Sequence, residues 1–163
     1  MSKLPIALGW KPTGQPIRID LLPPLSGECA VHVHETEGTD KAHVKFEYGD
    51  TPYCLSIFVF DLNAFLNNRP VKVRSYDLWD KEIMYAARLP SGKPHPRNPG
   101  WFYREDAVII DWGKFSLKNG LLEIDLKVRK IKLKYQVKFI GIRRYRSPKY
   151  GFSIRSEYLF EPL

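Results

Sequence analysis

Three sets of residues in this chain have types and spacings that chemistry can use. The first is basic. Lys132, Lys134 and Lys138 occupy even positions beside Ile131, Leu133, Tyr135, Val137 and Phe139, so on a strand they project from one face and the apolar residues from the other. Arg143, Arg144, Arg146 and Lys149 extend the charge through a segment that also holds Tyr145 and Tyr150. Guanidinium and ammonium groups bind phosphate oxygens, and tyrosine rings stack on bases. The second set is Asp111, thirteen intervening residues, and Asp125-Leu126-Lys127. Two carboxylates can hold Mg²⁺ while a lysine positions or activates water. The third is His32 and His34, two residues apart on one strand face and so both able to reach one metal ion, with the carboxylate of Glu37 following.

Two of these sets resemble known patterns. Asp111, Asp125 and Lys127 resemble the Asp…(Asp/Glu)-x-Lys pattern of one nuclease superfamily, which implies a Mg²⁺-dependent phosphodiesterase site. Gly27, His32, His34 and Glu37 resemble the first metal motif of the cupins, which are β-barrels; the second cupin motif is not found, and His95 lies in a proline-rich loop. His34-Glu35-Thr36 has the H-x-T form of two-histidine phosphoesterases, which need two such motifs, and one is present. The plain alternative for His32 and His34 is the solvent face of a strand whose other face is Val31 and Val33.

The elements that must position these residues read as strands. Apolar and polar residues alternate with period two at Ile17, Ile19 and Leu21, at Val31 and Val33, at Val44 and Phe46, at Val71 and Val73, and at Val108, Ile110 and Trp112. Residues 53–60 read as a central strand buried on both faces. Asn119-Gly120 lies between Phe115/Leu117 and Leu122/Ile124/Leu126/Val128, a strong hairpin signal because both turn positions need positive φ. The apolar parity changes across Arg129-Lys130, which predicts a turn or a bulge there. A two-residue turn pairs Leu126 with Leu133 and Ile124 with Tyr135, and sets Asp125 opposite Lys134 with Glu123 diagonal to Lys138. The parity also changes between Trp112 and Phe115; a bulge at Gly113 would return Asp111 to the polar face near Lys127. Helices are few. Asp61 caps a single turn that Pro70 ends, and Asp77 caps a helix through Trp79, Ile83, Ala86 and Ala87 that Pro90 ends. Residues 89–100 hold four prolines and form a long extended loop able to dock a protein partner. The expected fold is all-β: a single-domain antiparallel β-sandwich or barrel of roughly eight to ten strands over residues 1–163, with one or two short helical insertions.

Charge and composition narrow the function. The 163 residues carry a net charge of +8, but unevenly. Residues 1–125 hold fifteen Lys/Arg against sixteen Asp/Glu, and residues 126–163 hold eleven against two, a net of +9. A basic strand and loop over 126–156 therefore points to a polyanion. Part of that charge has internal candidates to offset it, since residues 28–50 carry six acids. Two cysteines are too few for a disulfide framework or a Cys-rich zinc site. No apolar run is long enough to cross a bilayer. The apolar patch at 5–8 is shorter than the stretch of about 7–15 residues in a secretory signal. A cytoplasmic or otherwise intracellular, reducing compartment is expected. There is no nucleophile elbow and no Gly-rich phosphate loop. Asp61, Asp77 and Asp80 do not have EF-hand spacing. The leading expectation is a non-enzymatic nucleic-acid-binding accessory module of a nucleoprotein assembly, contacting phosphates through Lys132, Lys134, Lys138, Arg143, Arg144, Tyr145, Arg146 and Lys149, without a cofactor. The alternatives are a nuclease using Mg²⁺ at Asp111, Asp125 and Lys127, and a self-assembling or protein-binding β-sandwich with a basic interface.

Overall fold

A computed structural model describes residues 17–147 and 151–163. The apolar patch at 5–8 and the predicted site residue Lys149 lie outside the described residues. The predicted all-β architecture holds, and of the two alternatives it is the barrel. Eight antiparallel strands are named: β1 (Leu25–His34), β2 (Ala42–Glu47), β3 (Tyr53–Val59), β4 (Val71–Asp80), β5 (Ala107–Lys118), β6 (Leu121–Leu126), β7 (Ile131–Ser147) and β8 (Gly151–Pro162). They close in the order β1-β2-β3-β4-β8-β7-β6-β5, and β5 returns to pair with β1.

Closure gives each strand an inside and an outside, which the period-two alternation fills. Cys29, Val31 and Val33, then Val44 and Phe46, then Leu55, Ile57 and Val59 face inward with Phe115, Leu117, Leu122, Ile124, Tyr135, Tyr158 and Phe160. Burying each large side chain contributes about 1.5–3 kcal/mol. Asp61 caps α1 (Leu62–Leu66) by accepting from the Ala64 amide at 3.0 Å, as predicted. The Asn119-Gly120 hairpin also forms as predicted, with φ of +52° and +74°, and it sets Phe115 opposite Ile124 and Leu117 opposite Leu122.

Four local expectations are corrected. The alternating stretch at Ile17, Ile19 and Leu21 is not a strand, since Ile19–Leu21 is a 3₁₀ turn. Residues 71–80 are strand, and the helix expected through Trp79 and Ile83 is a 3₁₀ turn, Lys81–Tyr85. Trp79 and Leu78 pair with Cys54 and Leu55 of β3, so sheet pairing overrides the helical spacing. The turn between β6 and β7 uses four residues, 127–130, with Lys130 at φ +54°. The extra residues shift the register by two: Ile124 opposes Leu133, Leu122 opposes Tyr135, Glu123 opposes Lys134 and Asp125 opposes Lys132. Finally, the β5 irregularity lies at Ile110, not Gly113. Val31 opposes Asp111 while His32 opposes Ile109, leaving Ile110 as the extra residue. Gly113 meets a different need, since a Cβ there would stand 1.8 Å from the Asp125 carbonyl oxygen.

The connection between β4 and β5 cannot be a hairpin, because those strands are not neighbours. It crosses the outside of the barrel as a strap over residues 81–106. Ile83, Met84, Tyr85 and Ala87 pack on Ala30, Cys54 and Ile109 from the outer wall, with Trp79, Trp101, Tyr103 and Trp112 against them. The proline-rich 89–100 segment belongs to this strap and has neither helix nor named strand. It is tied down where His95 sits between Tyr85 and Trp112, and where Arg97 pairs with Glu28. Among the described residues, no helix is long and apolar enough to cross a membrane.

Two outcomes test this packing. Gly113→Ala will cost about 3 kcal/mol or more, read as a fall in the urea midpoint, because the added methyl meets backbone. Cys29 and Cys54 are both buried, and burial pushes their thiols up to about 12. Neither will react with a thiol reagent at pH 8 until denaturant unfolds the chain.

Candidate functional site

The basic segment was expected to be strand and then loop, but residues 143–147 continue β7 instead. β7 and β8 pair from Tyr135↔Pro162 to Ser147↔Gly151, with an extra residue between Phe139 and Gly141. β6 accompanies β7 only as far as Gln136. β4 accompanies β8 only opposite Glu157–Phe160. Beyond those limits the two strands form a ribbon with no third strand beside it among the described residues. Arg143, Arg144 and Arg146 are exposed on this ribbon. Tyr145 is half-buried: its hydroxyl donates to Glu157 Oε2 at 2.8 Å, and the Arg74 guanidinium lies 3.8 Å from its ring centre. One ring face is therefore covered by a cation. Glu157 also pairs with Arg74 at 3.4 Å and Lys72 at 3.6 Å. Burial would raise the Glu157 carboxyl, but the Tyr145 hydrogen bond and the Lys72 and Arg74 charges hold it below its ordinary value.

The lysine face is a ladder of ion pairs. Lys134 reaches Glu123 at 3.7 Å and Lys138 reaches Glu161 at 2.7 Å, while Lys132 stands opposite Asp125. Exposed pairs of this kind contribute about 0–1 kcal/mol. Their effect is to neutralise the stripe.

Asp111, Asp125 and Lys127 are not brought together as an open cation site. The expected return of Asp111 to the polar face does not occur, because the extra residue is Ile110. Asp111 is fully buried. Its Oδ1 accepts from the Trp112 and Val128 amides, both at 2.8 Å, and its Oδ2 from the Arg129 amide at 3.1 Å and Arg129 Nη1 at 3.5 Å. The carboxylate thereby accepts four hydrogen bonds, three of which hold the 127–130 turn. Asp125 is exposed on the outer face between Lys114 and Lys132.

His32 and His34 do share the outer face of β1, but that face is not open to solvent. The strap buries both, and β2 sets His43 directly opposite His32. His43 stacks on His34 at 4.3 Å between ring centres. Below them Lys45 is buried and donates to Ser56 Oγ at 2.9 Å. Burial brings its ammonium down to about 8. The strap supplies Tyr103, Arg104 and Asp106. Tyr103 Oη lies 3.2 Å from His32 Nδ1 and 2.6 Å from His34 Nε2. Arg104 Nη1 lies 2.9 Å from His34 Nδ1 and 2.7 Å from Glu37 Oε2, and Asp106 holds the same guanidinium through two hydrogen bonds of 2.8 and 2.7 Å. Glu37 also meets His34 Nδ1 and His43 Nε2, each at 3.1 Å. Burial, with the neighbouring His43, Lys45 and Arg104 charges, drives His34 down to about 3. The His43 hydrogen bond and then Arg104 hold Glu37 far below the carboxylate range.

The single donor-acceptor polarity of this chain follows from its fixed end. His32 Nε2 lies 2.9 Å from the Met84 carbonyl oxygen, and a carbonyl can only accept. His32 Nε2–H therefore donates. Burial keeps His32 neutral, so its Nδ1 accepts from the Tyr103 hydroxyl. That hydroxyl has one proton to give, so it accepts from His34 Nε2–H, leaving His34 Nδ1 unprotonated. Both ring nitrogens of His32 are thus engaged, and His32 is not placed to ligate a metal. His43, Tyr103, Arg104 and Asp106 were not identified as site residues from the sequence. His43 was recoverable in part, since a β1–β2 hairpin register would have set it opposite His32.

No family model and no solved structure matches this chain. A protein of Aquifex aeolicus (strain VF5), described as uncharacterized, is 54% identical over 158 residues, covering 97% of this chain and 94% of its own length.

Lys45 tests the polar layer. A buried ammonium costs more than its hydrogen bond returns, so Lys45→Met should raise unfolding free energy at pH 7 by about 1–3 kcal/mol, measured in urea.

Proposed function

The chain belongs to one protein family with its Aquifex aeolicus relative, and we propose that it is a non-enzymatic nucleic-acid-binding accessory module that acts within a nucleoprotein assembly. The observation that carries this reading is the exposed guanidinium set Arg143, Arg144 and Arg146 on the two-stranded ribbon of β7 and β8. It lies within a segment of net charge +9. A two-stranded ribbon is narrow enough to enter the major groove of a duplex. Successive side chains on one face stand about 6–7 Å apart, which lets Arg144 and Arg146 address separate phosphates. Lys132, Lys134 and Lys138 are secondary in this reading, because they already face acids, and Tyr145 keeps one ring face for Arg74. The exposed prolines of the strap, Pro94, Pro96 and Pro99, are the face we assign to a protein partner.

A second reading, a self-assembling or protein-binding barrel, has its own support. Ile140 and Ile142 are 54% and 59% exposed at the base of the ribbon, and apolar side chains there would be covered by a second surface.

Binding of a fluorescent duplex and of a single-stranded RNA, followed between 50 and 200 mM salt, separates the two. The nucleic-acid reading expects affinity to fall steeply with salt. The Arg143→Ala, Arg144→Ala double variant should bind at least tenfold more weakly, with a slope shallower by about 2 in log–log form. Affinity that ignores both salt and the double variant would overturn it. A dimer by native mass that persists after nuclease treatment and is dissolved by Ile142→Ser would favour the second reading.

A further inference from the structure

The pair His34 Nδ1 and Glu37 Oε2 poses a problem that its neighbours solve in one way. Nδ1 carries a lone pair, because the chain from Met84 through His32 and Tyr103 places the His34 proton on Nε2. Glu37 Oε2 carries only lone pairs. The two atoms stand 3.1 Å apart, so they repel unless a positive group lies beside both. Arg104 Nη1 fills that role, at 2.9 Å from the nitrogen and 2.7 Å from the oxygen. The other carboxylate oxygen, Oε1, stands 3.1 Å from His43 Nε2. The three donor atoms of His34, Glu37 and His43 lie within 4.8 Å of one another.

We propose that His34 Nδ1, the Glu37 carboxylate and His43 Nε2 form a binding site for one divalent transition-metal ion of the zinc class, and that the Arg104 guanidinium is the internal cation that competes with it. Two imidazoles and a carboxylate are a sufficient protein donor set for such an ion, with the fourth position left to solvent. The separations are near those of a tetrahedral ion, whose ligand atoms stand ~3.4 Å apart with bonds of ~2.1 Å: the Glu37 carboxylate lies between the two imidazoles, with Oε2 3.1 Å from His34 Nδ1 and Oε1 3.1 Å from His43 Nε2. Without the ion His43 Nε2–H donates to Glu37 Oε1 at 3.1 Å, so ligation moves that proton off Nε2. Tyr103, accepting from His34 Nε2–H at 2.6 Å, orients the ring and leaves Nδ1 for the ion. Glu37 and Arg104 side chains are 38% and 36% exposed, which opens this edge to entry. Asp106 grips the other side of the guanidinium, so Arg104 can withdraw from Nδ1 while keeping its ion pair. The site is independent of the β7–β8 ribbon, and its test does not involve nucleic acid.

The experiment uses the full chain after chelator treatment, titrated with Co²⁺ and with Zn²⁺. It is read by calorimetry and by the visible d–d absorption that Co²⁺ acquires on binding imidazole in a low-symmetry site. The expected results are one ion per chain, binding at least tenfold tighter in Arg104→Gln, and loss of about 10–100-fold in Glu37→Gln and in His43→Gln. Glu37→Gln removes an exposed charge and keeps the side-chain shape, so it reads the site even where a histidine variant fails to fold. No saturable binding by the folded wild type and the folded Arg104→Gln variant would overturn the proposal, as would binding that Glu37→Gln leaves unchanged. Tight binding in the wild type that Arg104→Gln does not strengthen would overturn the role given to Arg104.

Discussion

The pairing of β1 with β5 closes the sheet, and it can do so only by tolerating one extra residue. Ten partner pairs join these strands, but Ile110 has none. The irregularity turns Asp111 into the amides of the 127–130 turn, and Gly113 then permits β6 to approach so closely that no Cβ fits. A buried carboxylate with every lone pair engaged is stable because its donors are fixed in place by the turn it organises. The residue most suggestive of metal-dependent chemistry in the sequence is thus spent on closing the barrel.

Closure also makes the outside of β1, β2 and β3 a surface that something must cover. Outward positions on a barrel wall usually face water, and here His32, His34, His43, Lys45 and Ser56 occupy them. The strap between β4 and β5 covers them because its ends lie on strands that are not neighbours, so the chain must travel around the barrel. The result is a second, polar layer under an aromatic lid. Each group in it is positioned by another: Met84 sets the tautomer of His32, His32 sets the direction of the Tyr103 hydroxyl, and Tyr103 sets His34. Such a layer carries a stability cost in Lys45 and three neutral imidazoles, and it holds donor atoms in a defined arrangement.

The charge is divided by the same geometry. Where β7 runs beside β6 and β8 within the barrel, its lysines find Glu123, Asp125 and Glu161 on adjacent strands. Where β7 and β8 leave the barrel, the exposed Arg143, Arg144 and Arg146 gather on the ribbon. The +9 segment is therefore two surfaces, an ion-paired wall and a basic ribbon.

Local signals were legible in the sequence wherever two or three adjacent residues decide the outcome. Asn119-Gly120 specified its own hairpin and the β5–β6 register, since both residues adopt positive φ. Asp61 and Pro70 bracketed a single helical turn. Alternation placed the inward residues of β2, β4, β6 and the first half of β7 on strands but missed β8, with Tyr158 and Phe160, and the number of strands lies within the expected range. Errors arose where one residue of slippage changes everything downstream. The β6–β7 register moved by two because a four-residue turn replaced a two-residue one, and residues 78–80 followed sheet pairing with β3, which left only Lys81–Tyr85 as a 3₁₀ turn. His32, His34 and Glu37 were visible as a metal-like set, but their burial, the exclusion of His32 and the addition of His43 and Arg104 were not. Sequence by itself determined the alternation, the turns and the uneven charge, because these depend on neighbours in the chain. The tertiary structure alone decided which face of β1 is inside, what covers the other, and which cation stands beside His34. Those contacts join residues about seventy positions apart, and they exist only once the sheet has closed.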